Sequence, residues 1–182
     1  MIIVVGVAGS GKSTQSKLLA TVQGWHWISM GKLLRSSLTG DLEKEMNSGR
    51  LLNDNEVEAI LETELRKIAG SNKIILDGFP RRVAQTEWLL STAHAINEKV
   101  EAIVHLKAHE EVVLERLLHR GRPDDKPAAI NERFLEYEKD IKPLLQVFAN
   151  KGIPIIEVNG EQPAEVVHAD IKKGVVAAGI SL

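Results

Sequence analysis

The chain has no cysteine among its 182 residues. That excludes a disulfide framework and a thiolate metal site. It has no surplus of positive charge: 23 Lys and Arg stand against 25 Asp and Glu, a formal net charge of −2. A strongly basic nucleic-acid surface is therefore not expected. No apolar run approaches the roughly 20 residues of a membrane-spanning helix. No basic stretch precedes the apolar N-terminal residues, which read as a core strand and not as a signal peptide. The six histidines (His26, His94, His105, His109, His119, His168) show no H-E-x-x-H spacing and read as surface or hydrogen-bonded groups. Internal repeats, low-complexity tracts, linkers and heptads are absent too. A monomeric single domain with a real core is the expectation.

What is present begins at residue 6. Residues 6–13 read Gly-Val-Ala-Gly-Ser-Gly-Lys-Ser, a full match to G-x-x-x-x-G-K-[ST]. An apolar run, 1–5, leads into it and a helix-compatible stretch, 14–20, follows, which is the strand–loop–helix context the motif needs. Gly9 and Gly11 let the backbone bend so that successive N–H groups face phosphate oxygens. The positive end of the following helix adds attraction. Lys12 can then place a mobile charge between the β- and γ-phosphates, and Ser13 can offer its hydroxyl to Mg²⁺. A nucleoside triphosphate is the implied ligand, and an ATP-containing compartment, the cytoplasm, is the expected location.

Short apolar runs at 2–5, 25–29, 73–77, 101–106 and 154–158 alternate with helical patterns at 12–22, 53–68, 84–95, 110–120, 127–149 and 164–178. Such alternation predicts an α/β fold: a five-stranded parallel sheet with helices on both faces. Ligands then sit beyond the carboxyl ends of the strands. From 30 to 69 no strand is expected. Gly40 and Gly49 punctuate that stretch, and Asp41 and Asn53 are candidate N-caps. It reads as a helical insertion. Residues 121–127, Gly-Arg-Pro-Asp-Asp-Lys-Pro, read as a short charged loop with Pro127 opening the next helix.

Two further motifs carry chemistry. Residues 74–81 read Ile-Ile-Leu-Asp-Gly-Phe-Pro-Arg, an apolar strand ending in a carboxylate suited to Mg²⁺. Arg81 follows a turn, and its planar guanidinium can grip a phosphate by two hydrogen bonds. Arg116 and Arg120 lie four apart on one helix face, Arg122 starts the charged loop, and Arg133 flanks the stripe Ile130, Phe134, Tyr137, Ile141. Arginines gathered at one point would neutralise the charge of phosphoryl transfer. No N-K-x-D guanine motif is found.

With these motifs the chain resembles a short-lid nucleoside monophosphate kinase of the adenylate kinase family over nearly its whole length. The loop with Thr14-Gln15 is similar to that family's G-x-x-G-x-G-K-G-T-Q. Residues 28–35, Ile-Ser-Met-Gly-Lys-Leu-Leu-Arg, resemble its I-S-T-G-D-L-L-R, and 48–52 its G-x-L-V segment. Asp77-Gly78-Phe79-Pro80-Arg81 with Gln85 is its most specific signature, and 121–125 with Arg133 and Tyr137 resemble its lid and hinge pattern.

The resemblance implies a P-loop NTPase fold, 1–182, with a helical NMP-binding insertion at 30–60 and a short lid loop at 120–127. It implies transfer of phosphate from ATP to AMP with Mg²⁺. By it, Gly9, Ser10, Gly11, Lys12, Ser13 and Thr14 bind the ATP phosphates, Arg116 and Arg120 flank the donor, and backbone near Gln162 meets its base. Arg35 and Arg81 hold the acceptor phosphate. Ser29, Met30, Arg50, Leu51, Leu52, Gly78 and Gln85 surround the acceptor. Lys12, Arg81, Arg122 and Arg133 are the catalytic set, and Asp77 orients water on Mg²⁺. Ser13, Met30 and Lys32 stand where the family usually has Gly, Thr and Asp, so UMP or CMP stays open as the acceptor. A nucleotide-binding regulator with little turnover is the rival from another class.

Overall fold

The computed structural model describes residues 1–38 and 53–182. Five strands, β1 (Ile2–Gly6), β2 (His26–Ser29), β3 (Ile74–Asp77), β4 (Ala102–Lys107) and β5 (Ile155–Asn159), form one parallel sheet in the order β2-β3-β1-β4-β5. This is the α/β sheet that the alternation predicts. Boundaries differ from the sequence reading by a residue or two, as element ends commonly do.

Side-chain alternation explains why both faces are covered. Ile3, Val5, Ile28, Ile74, Leu76 and Ile103 point to one face, and Ile2, Val4, Ile75, Val104 and Leu106 to the other. On the first face pack α3 (Asp54–Ile68), α4 (Val83–Ala95) and α6 (Pro127–Asn150), through Leu61, Leu65, Leu89, Leu144 and Phe148. On the second pack α1 (Lys12–Gln23) and α7 (Ala164–Ala177), through Leu19, Val167, Ile171 and Val175. Each fully buried aliphatic side chain contributes about 1.5–3 kcal/mol. Gly174 lets α7 approach β5 closely, since a Cβ there would lie 2.3 Å from Ile156 Cγ2.

Two helices complete the described residues. α2 (Met30–Ser37) leaves the end of β2, and α5 (Glu110–Arg120) leaves β4. α3 starts at the N-cap Asn53, whose side chain accepts the N–H of Asn55 at 3.0 Å, as the sequence predicts. The second candidate cap, Asp41, and the punctuating Gly40 and Gly49 lie outside the described residues. β1 sits between β3 and β4, where the strand order turns about, and its carboxyl end opens on the crevice in which such sheets bind ligands.

Candidate active site

The loop between β1 and α1 needs glycine for two reasons. Gly9 (φ 87°) and Gly11 (φ 97°) adopt left-handed conformations. A Cβ on Gly9 would also press within 3.1 Å of Leu117 Cγ on α5. Lys12 folds back over the loop, its Nζ donating to the Val7 carbonyl at 2.7 Å. Lost hydration lowers its pKa to about 8, against the pull of Asp77 and with help from Arg81, Arg120 and Arg133.

Asp77 ends β3 in register with Ser29 and with Val4 of β1, so these strand ends share one edge of the sheet. Its carboxylate is buried, and Ser13 Oγ donates to its Oδ2 at 2.5 Å. Phe79 anchors the following turn in the core, while Arg81 Nε returns to the Gly78 carbonyl at 3.1 Å.

Above this edge lies a cleft of about 300 Å³. Seven cations line it, Lys12, Arg35, Arg81, Arg116, Arg120, Arg122 and Arg133, against two carboxylates, Asp77 and Asp124. Such a wall concentrates anions. The loop after α5 ties two of the arginines. Arg120 meets Asp125 through both oxygens, at 2.8 and 2.5 Å, and Arg133 Nη1 meets Asp124 at 2.7 Å. Arg35 of α2 and Arg122 and Asp124 of this loop line the same cleft, and burial, then the charge of Arg122, depress the pKa of Arg35.

A second cavity, about 250 Å³, opens beside the loop between Gly9, Ser10, Gly11, Thr14, Gln15, Arg116, Gly160 and Gln162. Arg116 borders it, donating to the carbonyls of Gly160 at 2.7 Å and Glu161 at 3.1 Å. Gly160 is confined by the Ser10 carbonyl, 2.5 Å from where a Cβ would stand. A third, of about 100 Å³, lies under Lys12, Arg81 and Arg133 against Tyr137 and Asp140 of α6. Tyr137 shares a 2.6 Å hydrogen bond with the buried His105 of β4. Burial raises the pKa of Tyr137 and lowers that of His105.

The remaining sequence-predicted residues divide. Ser29 and Gly78 line the cleft. Met30 turns into the core and is 2% exposed. Lys32 leans away, its Nζ 4.3 Å from the ring centroid of Trp27. Arg50, Leu51 and Leu52 lie outside the described residues. Gln85 is buried and tied at both ends: Oε1 accepts the Arg81 N–H at 2.7 Å, and Nε2 donates to Asp54 Oδ1 at 2.6 Å. Sequence reasoning missed Asp54, which lies 31 residues from its partner. Its place at the start of an acidic first turn signals only a helix start.

No cluster of three or more His, Asp or Glu is assembled to hold a metal among the described residues. The adjoining Ser13 hydroxyl and Asp77 carboxylate are nonetheless hard oxygen donors, and they fit a Mg²⁺ ion that keeps water and phosphate as its other ligands. No helix of the described residues is long and apolar enough to cross a membrane.

Comparison with known proteins bears on this geometry. Residues 4–153 match the family model described as adenylate kinase. The adenylate kinase of Synechococcus sp. (strain CC9311) is 38% identical over 158 residues, 84% of this chain and 86% of that one. An adenylate kinase of Prochlorococcus marinus is 35% identical over 178 residues, 94% of this chain and 96% of its own. That of Hyphomonas neptunium (strain ATCC 15444) is 33% identical over 180 residues, 93% and 95% of the two chains.

Proposed function

This chain belongs to the adenylate kinase family, and from that premise we propose that it transfers the γ-phosphate of ATP to AMP, giving two ADP. The observation that carries the reading is the cleft: seven cations converge on the glycine loop, with a cavity on either side.

The acceptor is a phosphate oxygen, ionised near pH 7, so no general base is needed. Catalysis reduces to alignment and electrostatics. The glycine loop cradles the donor phosphates through its N–H groups, with Lys12 over them. The cavity between Arg116 and Gln162 takes the donor base. Arg35 and Arg81 grip the acceptor phosphate, and Gln85 contacts the acceptor base, with Ser29 and Gly78 at the cleft beside it. Arg122 and Arg133 bridge the two phosphate groups. Asp124 and Asp125 pair with Arg133 and Arg120, and substrate phosphates compete with those carboxylates. Ser13 and Asp77 would hold Mg²⁺, which when bound offsets charge on the β- and γ-phosphates. Helix α2 and the loop 120–127, which both line the cleft, close over the single domain and exclude water, which otherwise hydrolyses the donor. The protein works as a cytoplasmic monomer.

A coupled assay of ADP formation from ATP with each nucleoside monophosphate tests this. Turnover with AMP is the expected result. Turnover with UMP or CMP alone, or ATP binding with no acceptor-dependent ADP, overturns it.

A further inference from the structure

The side-chain amide of Gln85 has its two ends assigned by neighbours that cannot exchange roles. At one end the Arg81 backbone N–H can only donate, and Oε1 accepts it at 2.7 Å. At the other the Asp54 carboxylate can only accept, and Nε2 donates to Oδ1 at 2.6 Å. The carboxylate is itself held, since Arg82 Nη1 donates to the same oxygen at 2.7 Å. A primary amide is almost symmetric in shape, so a half-turn would exchange oxygen and nitrogen at little steric cost. Here a half-turn sets nitrogen against N–H and oxygen against carboxylate. With Gln85 only 5% exposed, water does not compensate either clash.

An amide carries two hydrogens and two lone pairs. One of each is used, so a ligand can meet one hydrogen on nitrogen and one lone pair on oxygen. We infer that Asp54 is a positioning residue for acceptor specificity: by orienting Gln85 it selects a base with an amino group beside an unprotonated ring nitrogen. This rests on the reading of Gln85 as the acceptor-base contact. Adenine has that edge in its 6-amino group and N1, and cytosine in its 4-amino group and N3. Uracil and guanine present the reverse, a carbonyl beside a ring N–H. The amide therefore separates CMP from UMP, two acceptors the sequence leaves together, and the choice between AMP and CMP falls to the size of the base.

The test compares wild type, Asp54→Asn, Asp54→Glu and Arg82→Ala for KM and kcat with AMP and UMP, with thermal melting as a check on folding. Asp54→Asn keeps the shape but loses the charge that holds Arg82, and once the partly exposed Arg82 turns to water the new amide can donate, which admits a turned Gln85. It should raise KM for AMP and cut the AMP-to-UMP ratio of kcat/KM about tenfold, with kcat for AMP within about twofold of wild type. Asp54→Glu keeps an obligate acceptor and should hold the ratio near wild type. Arg82→Ala removes the ion pair alone and should also keep it. An unchanged ratio in Asp54→Asn overturns the inference, as does an equal loss in Arg82→Ala. A second measurement needs no variant: the Gln85 side-chain amide resonance should shift on saturation with AMP and not with UMP. Equal shifts with both overturn the inference. Failure of the underlying reading looks different, because the wild type would then form no ADP from AMP and its Gln85 resonance would ignore AMP.

Discussion

Ser13 Oγ donates to Asp77 Oδ2 at 2.5 Å, joining the glycine loop to the end of β3 across 64 residues of chain. Ser13 adds an oxygen donor beside the Asp77 carboxylate. Replacing it should show in the metal dependence before it shows in the fold. Ser13→Gly should raise the Mg²⁺ concentration for half-maximal turnover several-fold, about one lost hydrogen-bond's worth, while Asp77→Asn should raise it further. Titration of activity with Mg²⁺ at saturating nucleotide measures both. Identical curves for Ser13→Gly and wild type would remove the serine from the metal's neighbourhood.

Lys12 gives a pH signature. Its free-protein pKa is lowered to about 8 from the usual 10.5 by lost hydration. Donor phosphates favour the ammonium and push that value up. Between the two values the free protein has shed a proton that the complex regains. Nucleotide binding near pH 9 should therefore take up protons, with affinity falling as pH rises through this window, and binding near pH 7 should take up none from Lys12. Calorimetry in two buffers of different ionisation heat reads the number. Lys12→Met should abolish the uptake and lower kcat by about 10²-fold or more. Undiminished uptake in that variant would assign the proton elsewhere.

Much of this was legible in the chain. Residues 6–13 announce a phosphate loop, and Asp77 at the end of an apolar run announces the carboxylate that faces it. Arg116, Arg120, Arg122 and Arg133 are recognisable as a set only because their spacing puts them on two adjacent helices and one loop. The strand order is not written in periodicity, which assigns faces and not neighbours. The pairing of Arg120 with Asp125 and of Arg133 with Asp124 is equally hidden, because a run of charges carries no record of which partner it meets. The Gln85–Asp54 contact is hidden for another reason: both residues also serve ordinary roles at helix starts. Met30 shows the opposite failure, a motif position whose long apolar side chain follows burial into the core.

Asp125 offers a stability test. Its side chain is fully buried, paired with Arg120 and reached by the Arg122 N–H at 3.0 Å. Burial opposes its ionisation, but the Arg120 and Arg122 hydrogen bonds outweigh that and hold its pKa below the ordinary 3.8. A lowered carboxylate pKa stabilises the fold above the unfolded value, and the gain disappears as pH falls through the folded one. Asp125→Asn should cost about 1–3 kcal/mol near neutrality, since Arg120 keeps part of its water. Urea unfolding should show the difference from wild type shrinking as the pH falls below 3.8. A gap that persists in acid would mean the ionised pair is not its source.

The Lys32 ammonium over the Trp27 indole joins α2 to the edge strand β2. A positive charge above an indole shifts the colour and yield of its emission, so any tilt of α2 away from β2 is converted into light. The pair is thus a built-in reporter of the distance between α2 and β2. A single-tryptophan version retaining Trp27 would report on that contact without an attached dye.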